Sequence, residues 1–128
     1  MLLNFFYKIK NQRTEENVIL FDVILLPECN VYKGHFPDMP VAPGVFSIQM
    51  IKECVERITG KLLLLESMMQ CKFLTMVTPE QHQLLQIRIA YTESEGNRLK
   101  TSVTIGRDKE DYVIFKGEFV PLQANYDA

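Results

Sequence analysis

"GHFPDMPVAPGVFSIQM", residues 34–50, places a histidine, three prolines at three-residue intervals and a glycine directly ahead of an apolar run with helical spacing. Pro37, Pro40 and Pro43 each fix φ and turn the preceding residue away from the helical region, so the segment reads as a stiff, extended arm. The period then changes. Val45, Ile48, Ile51, Val55 and Ile58 recur every three to four residues, and Gly60 stands where a C-cap belongs, which predicts a helix over 46–59. Gly44, immediately before it, lets a ligand atom approach unpaired N–H groups at the positive end of the helix dipole. Such donors suit a carbonyl oxygen that gains negative charge. His35, at the far end of the arm, is the side-chain type best able to move a proton near neutral pH. A base and an oxyanion donor on one rigid loop point to proton abstraction next to a carbonyl. The plain alternative is a proline turn whose histidine satisfies a buried hydrogen bond.

Outward from this stretch, alternation dominates. Residues 3–10 and 17–26 read as β-strands, with the polar cluster NQRTEEN as the turn between them, and PECN at 27–30 ends the second strand. After the helix come strand-like runs at 62–76, 82–93, 97–107 and 111–121, separated by TPEQ, SEGN and RDKED, all turn chemistry. Two strands, one helix and four more strands predict an α+β architecture, a single domain over 1–128, in which an antiparallel sheet buries its concave face on the helix. An open sheet exposes an edge, and pairing that edge with a second copy is a common remedy, so a dimer is expected.

Composition narrows the function. The 128 residues are 47% hydrophobic, enough for one core and too few for two. Fourteen basic and sixteen acidic residues are mixed along the chain with a formal net charge of -2, so no basic stripe marks a nucleic-acid or membrane partner. Cys29, Cys54 and Cys71 are an odd number without CxxC spacing, and His35 and His82 lie far apart. Neither a disulfide framework nor a metal site is expected; the thiols read as buried and free. The run VILFDVILL is interrupted by Asp22 and too short to span a bilayer, which gives a cytoplasmic expectation.

GHFPDMPVAPGV resembles the signature G-H-F-P-x-x-P-[VI]-x-P-G-V of the β-hydroxyacyl-acyl-carrier-protein dehydratases of the FabZ and FabA type, which have the hotdog fold, an antiparallel sheet wrapped around one central helix. More weakly, PECNVYKGHF resembles the strand leading into that motif and CKFLTMVTPEQ the strand and turn after the helix, so the likeness covers about four fifths of the chain by element order. The short chain and its IQMIKE stretch also resemble compact FabZ-like proteins of bacterial aryl-polyene and flexirubin-type pigment pathways. The resemblance implies dehydration of a 3-hydroxyacyl thioester to a trans-2-enoyl thioester. His35 would remove the C2 proton and the Gly44 N–H would bind the thioester carbonyl, with Phe36, Pro43 and Val45 of the same motif lining the substrate site. No cofactor is implied beyond the phosphopantetheine that carries the substrate. The implied partners are an acyl carrier protein and a second subunit, either a copy of the chain or a related dehydratase, with the site across their interface. Because carriers are acidic, the basic residues Lys33, Lys72 and Arg88 are candidates for receiving one.

One position departs from the family. Its acidic residue lies fourteen places after the histidine, and here that place holds Gln49, whose amide hydrogen-bonds a hydroxyl but cannot act as an acid. Glu53, one turn further along the same face, is the nearest carboxylate, so the Glu-then-Gln order of the family reads here as Gln-then-Glu. Gln49, Lys52, Glu53, Glu56 and Arg57 also form a polar stripe that a solvated helix face would show. Three readings follow: a dehydratase in which Gln49 or Glu53 assists the hydroxyl, a non-catalytic acyl-thioester-binding subunit supporting an active dehydratase, or a hotdog thioesterase.

Overall fold

A computed structural model describes residues 1–34 and 41–122. Its elements run β1 (Tyr7–Glu15), β2 (Val18–Leu25), the single helical turn α1 (Val31–Gly34), α2 (Gly44–Thr59), β3 (Leu63–Phe73), β4 (Leu84–Ser94), β5 (Arg98–Arg107) and β6 (Glu110–Pro121). The six strands form one antiparallel sheet in the order β1-β2-β4-β5-β6-β3.

The alternation read from sequence has a direct structural meaning. Apart from Leu20, Gly106 and Tyr112, the buried positions in the four central strands are Phe21, Val23 and Leu25, then Leu85, Ile87 and Ile89, then Leu99, Thr101, Val103 and Ile105, then Val113, Phe115, Gly117 and Phe119. All carry odd numbers, because a pleated strand sends every second side chain to the same face. The register aligns them into rows, one running Phe21, Ile87, Ile105, Val113, Phe73 across five strands. Met50, Ile51, Cys54 and Val55 of α2 close this face into one core. Such burial contributes about 1.5–3 kcal/mol per large side chain, which is what holds the helix in the sheet's curve.

Several boundaries differ from the sequence reading: β3 stops at Phe73, β4 starts at Leu84, and residues 31–34, which the resemblance placed in a strand, form a helical turn; three further differences have a clear local reason. Residues 11–15 continue β1 rather than forming a turn, and the reversal is confined to Glu16 (φ 56°) and Asn17. Their polarity suits an edge strand with solvent on both faces, where Arg13 pairs with Asp22 across the ladder at 2.6 Å. Residues 2–6 form a turn instead of a strand, Phe5 N–H and Phe6 N–H donating to the Leu2 carbonyl. The helix starts at Gly44, two residues early, because Pro43 supplies extended dihedrals (φ −62°, ψ 140°) as its N-cap. It stops where expected: Gly60 is left-handed at φ 72° and donates its N–H to the Glu56 carbonyl. Among the described residues no helix is long and apolar enough to cross a membrane.

Candidate functional site

Two groups of residues on α2 stand out, one at its start and one about two and a half turns further on, each beside a cavity of its own. At the start, Pro43 has no side chain able to cap the helix, and no side-chain capping bond is made. Gly44 is the first helical residue and lines a largely apolar cavity of about 410 Å³ with Val41, Ser47, Phe73, Met76 and Val77. The ring of Phe73 lies directly over Gly44. A Cβ added there would stand 2.8 Å from the ring's Cζ, so only glycine lets the aromatic sit this close to the helix start. The arm is moored from the other side, where the Ala42 N–H donates to the Val77 carbonyl at 2.7 Å. His82 braces this second segment: its Nδ1 accepts the Thr78 N–H at 3.0 Å, its own N–H returns to the Thr78 carbonyl at 2.8 Å, and its ring meets Tyr112 edge-on at 4.8 Å. It caps a turn.

The second group is a buried carboxylate. Glu53 is 5% exposed. Its Oε1 accepts the Leu3 N–H (3.0 Å) and the Tyr7 hydroxyl (3.0 Å), and its Oε2 accepts the Leu2 N–H (2.7 Å) and the Gln49 amide Nε2 (2.8 Å). The burial of a charge is tolerable only with such partners. Burial pushes the Tyr7 phenol far above its ordinary value, with nearby Cys54 and Glu53 adding to the effect. Burial likewise pushes the Cys54 thiol up to about 12, so it is held protonated, and Cys71 shifts the same way for the same cause. All three cysteines are free. Among the described residues no His, Cys, Asp and Glu cluster could hold a metal.

Of the residues singled out by sequence, the structure joins Gln49 to Glu53 and sets Gly44 at the cavity, with Pro43 as its cap; Val45 is 67% exposed. His35 and Phe36 lie outside the described residues. Lys72 is exposed next to Phe73, whereas Arg88 is exposed on the outer face of β4, with the sheet between it and the helix. The Phe73 lid and the Leu2, Leu3 and Tyr7 donors to Glu53 were not read from sequence. Tyr7 carried the one available signal, a hydroxyl within an apolar run; backbone donors carry none.

Residues 11–118 match the family profile named ApeI-like and described as ApeI dehydratase. The chain belongs to the ApeI-like dehydratase family. It is 26% identical over 123 residues to a 3-hydroxyacyl-[acyl-carrier-protein] dehydratase FabZ of Rhizorhabdus wittichii, covering 89% of this chain and 71% of that protein. It is also 32% identical over 65 residues to a FabZ of Caldanaerobacter subterraneus, covering 45% and 46%. The match thus spans about half the length of that second relative. The dehydratase heterocomplex ApeI:P from Xenorhabdus doucetiae superimposes with a TM-score of 0.70 at 18% identity, over 88% of this chain and 96% of that one. With its six antiparallel strands wrapped on one long helix, this ApeI-like chain has the hotdog fold.

Proposed function

We propose that the protein dehydrates 3-hydroxyacyl thioesters carried by an acyl carrier protein to trans-2-enoyl thioesters, in fatty-acid or polyene-type biosynthesis in the cytoplasm. The observation that carries this reading is the start of α2 at Gly44, uncapped by any side chain and opening on an apolar cavity, nine residues after His35 in the sequence. A thioester carbonyl hydrogen-bonded by the Gly44 N–H makes the C2 proton acidic, and the developing enolate oxygen is held where the helix dipole favours negative charge. His35 takes the C2 proton. The electron pair becomes the C2–C3 double bond, the C3–O bond breaks, and the hydroxide leaves as water with the proton that His35 returns. Gln49 orients the hydroxyl but supplies no proton. The elimination is redox-neutral and calls for no cofactor.

The acyl chain occupies the cavity under Phe73, and the second subunit joins along β3. That edge exposes Leu64, Met68, Met69 and Phe73, continued by Leu74 and Met76, and β3 is paired by β6 on one side alone among the described residues. Gln49 at the family's acid position favours a second reading, a non-catalytic subunit that binds the thioester and supports an active dehydratase. Mass spectrometry of carrier-bound 3-hydroxyacyl substrates after incubation with the pure protein separates the two. Loss of one water, abolished in His35→Ala, is expected; unchanged substrate at every chain length would select the second reading, and release of free carrier thiol would make the protein a thioesterase.

A further inference from the structure

We infer that Ser47 is a specificity-determining residue: its hydroxyl bonds the oxygen at C3 of the acyl chain, so that the site takes thioesters oxygenated at C3 in preference to plain alkyl chains. The inference rests on the dehydratase reading for where the thioester lies, with its carbonyl at the Gly44 N–H. Its own support is the state of the Ser47 side chain. Ser47 is 5% exposed, although serine is a residue usually found at the surface. A hydroxyl inside a helix commonly donates to a carbonyl three or four residues back, as Thr59 does to the Glu56 and Val55 carbonyls at 3.4 and 3.1 Å. Ser47 makes no such bond, and no other with a described residue. Among the described residues the Tyr32 hydroxyl is the buried side-chain group sealed off without a partner. Ser47 Oγ is not sealed, and the space beside it is the cavity that Ser47 lines with Gly44.

Its place on the helix sets what it can meet. Ser47 follows Gly44 by three residues, on the same face and about 4.5 Å along the axis, and the Cα–Cβ bonds of a helix lean toward its N-terminus. The hydroxyl therefore leans toward Gly44, which has no side chain to come between them. With a thioester carbonyl at the Gly44 N–H, the C1–C2–C3–O unit of the acyl chain spans the interval to Ser47. The rest of the cavity lining is apolar apart from the half-buried Thr75, so a chain with no oxygen at C3 leaves the Ser47 hydroxyl buried and unpaired. A serine hydroxyl both donates and accepts, so it pairs with a 3-hydroxyl or a 3-oxo group and tells either from a methylene. Gln49 of the same chain does not serve this cavity: its amide donates to Glu53, which borders a separate one with Leu3, Tyr7 and Ile9. In a site shared between two subunits, the Gln49 that orients the hydroxyl belongs to the other chain, and Ser47 is what the chain carrying Gly44 contributes.

The test is binding without turnover. In His35→Ala, the dissociation constants of 3-hydroxyacyl and saturated acyl pantetheine thioesters of one chain length are measured by calorimetry, alone and with Ser47→Ala or Ser47→Cys added. Alanine favours a helix, so the fold should hold, and circular dichroism checks it. His35→Ala should bind the hydroxyl ligand about tenfold more tightly than the saturated one, the effect of one net hydrogen bond. Adding Ser47→Ala should bring the two constants within about threefold of each other. Ser47→Cys, which keeps the shape of the side chain but hydrogen-bonds weakly, should do the same, and it decides alone where Ser47→Ala fails to fold. A preference retained in either folded Ser47 variant, or absent from His35→Ala, overturns the inference. Turnover by the unmodified protein is read separately: a Ser47-dependent preference in a protein forming no enoyl product would sink the dehydratase reading and keep this inference, and dehydration by a protein without that preference would do the reverse.

Discussion

Glu53 and Tyr7 show how a helix residue of the polar stripe becomes part of the core. Two side chains and two backbone amides converge on one carboxylate, so the helix face reads as solvated only while the first residues of the chain are ignored. The neighbouring Cys54 lies in the same apolar shell, fully buried. Its thiol, ordinarily near 9.0, is pushed up to about 12 by burial, and the Tyr7 and Tyr32 phenols are raised above 10.0 by the same cause. In each case the folded chain keeps a proton that the unfolded chain releases. Below about pH 9 both states hold these protons and the contribution to stability is fully present. As pH rises from there the unfolded state binds fewer protons than the native state, so stability must fall, by about 1.4 kcal/mol per pH unit for each group in its window. Urea midpoints should be flat below about pH 8.5 and decline above 9, and Cys54→Ala should flatten the stretch between about pH 9 and 10, before the tyrosines begin to titrate. A wild-type midpoint unchanged up to pH 11 would contradict the burial assigned to these groups.

The end of β3 lies over the start of α2. Gly44→Ala puts a methyl 2.8 Å from Phe73 Cζ. The obstacle is the far end of a half-exposed ring, which can swing, so the fold should survive at a cost of about 1 kcal/mol. The ring then tilts into the cavity or away from it, and turnover of 3-hydroxyacyl pantetheine should fall at least about tenfold while the melting temperature shifts by only a few degrees. An unaltered rate would show that the close seat of Phe73 on the start of α2 plays no part at the site. The contrast between what was and was not legible lies at this scale too. The central strands were readable because their odd-numbered residues face one core, and α2 because its period and Gly60 are local signals. Residues 11–15 failed because an edge strand wet on both faces has no alternation to read. Gln49 and Glu53 share a face by simple spacing, yet their bonding depends on residues 2, 3 and 7, some fifty positions away, which periodicity cannot reach.

At the scale of the whole molecule the two sheet edges are unlike. The β1 edge carries exposed Lys8, Lys10, Asn11, Gln12 and Glu15, the charged fringe that discourages a further strand from adding. The β3 edge carries Leu64, Met68, Met69 and Phe73, with β-bulges between Leu65 and Ser67 and between Met68 and Gln70. An apolar edge of this kind in water is a binding surface or a route to aggregation, and the ApeI-like site is proposed to need a second subunit, so β3 is where that subunit should sit. Met68 is 48% and Met69 58% exposed, and burying a methionine contributes about 1.5–3 kcal/mol. Replacing both by lysine, which also sets like charges opposite one another across a two-fold axis, should weaken self-association by at least about a hundredfold in sedimentation velocity. Lys10→Met on the β1 edge should leave it unchanged. If the pure chain is monomeric at tens of micromolar, the same pair of variants should instead abolish association with a related hotdog subunit; a dimer indifferent to Met68→Lys and Met69→Lys would place the interface elsewhere and leave the apolar edge without a role.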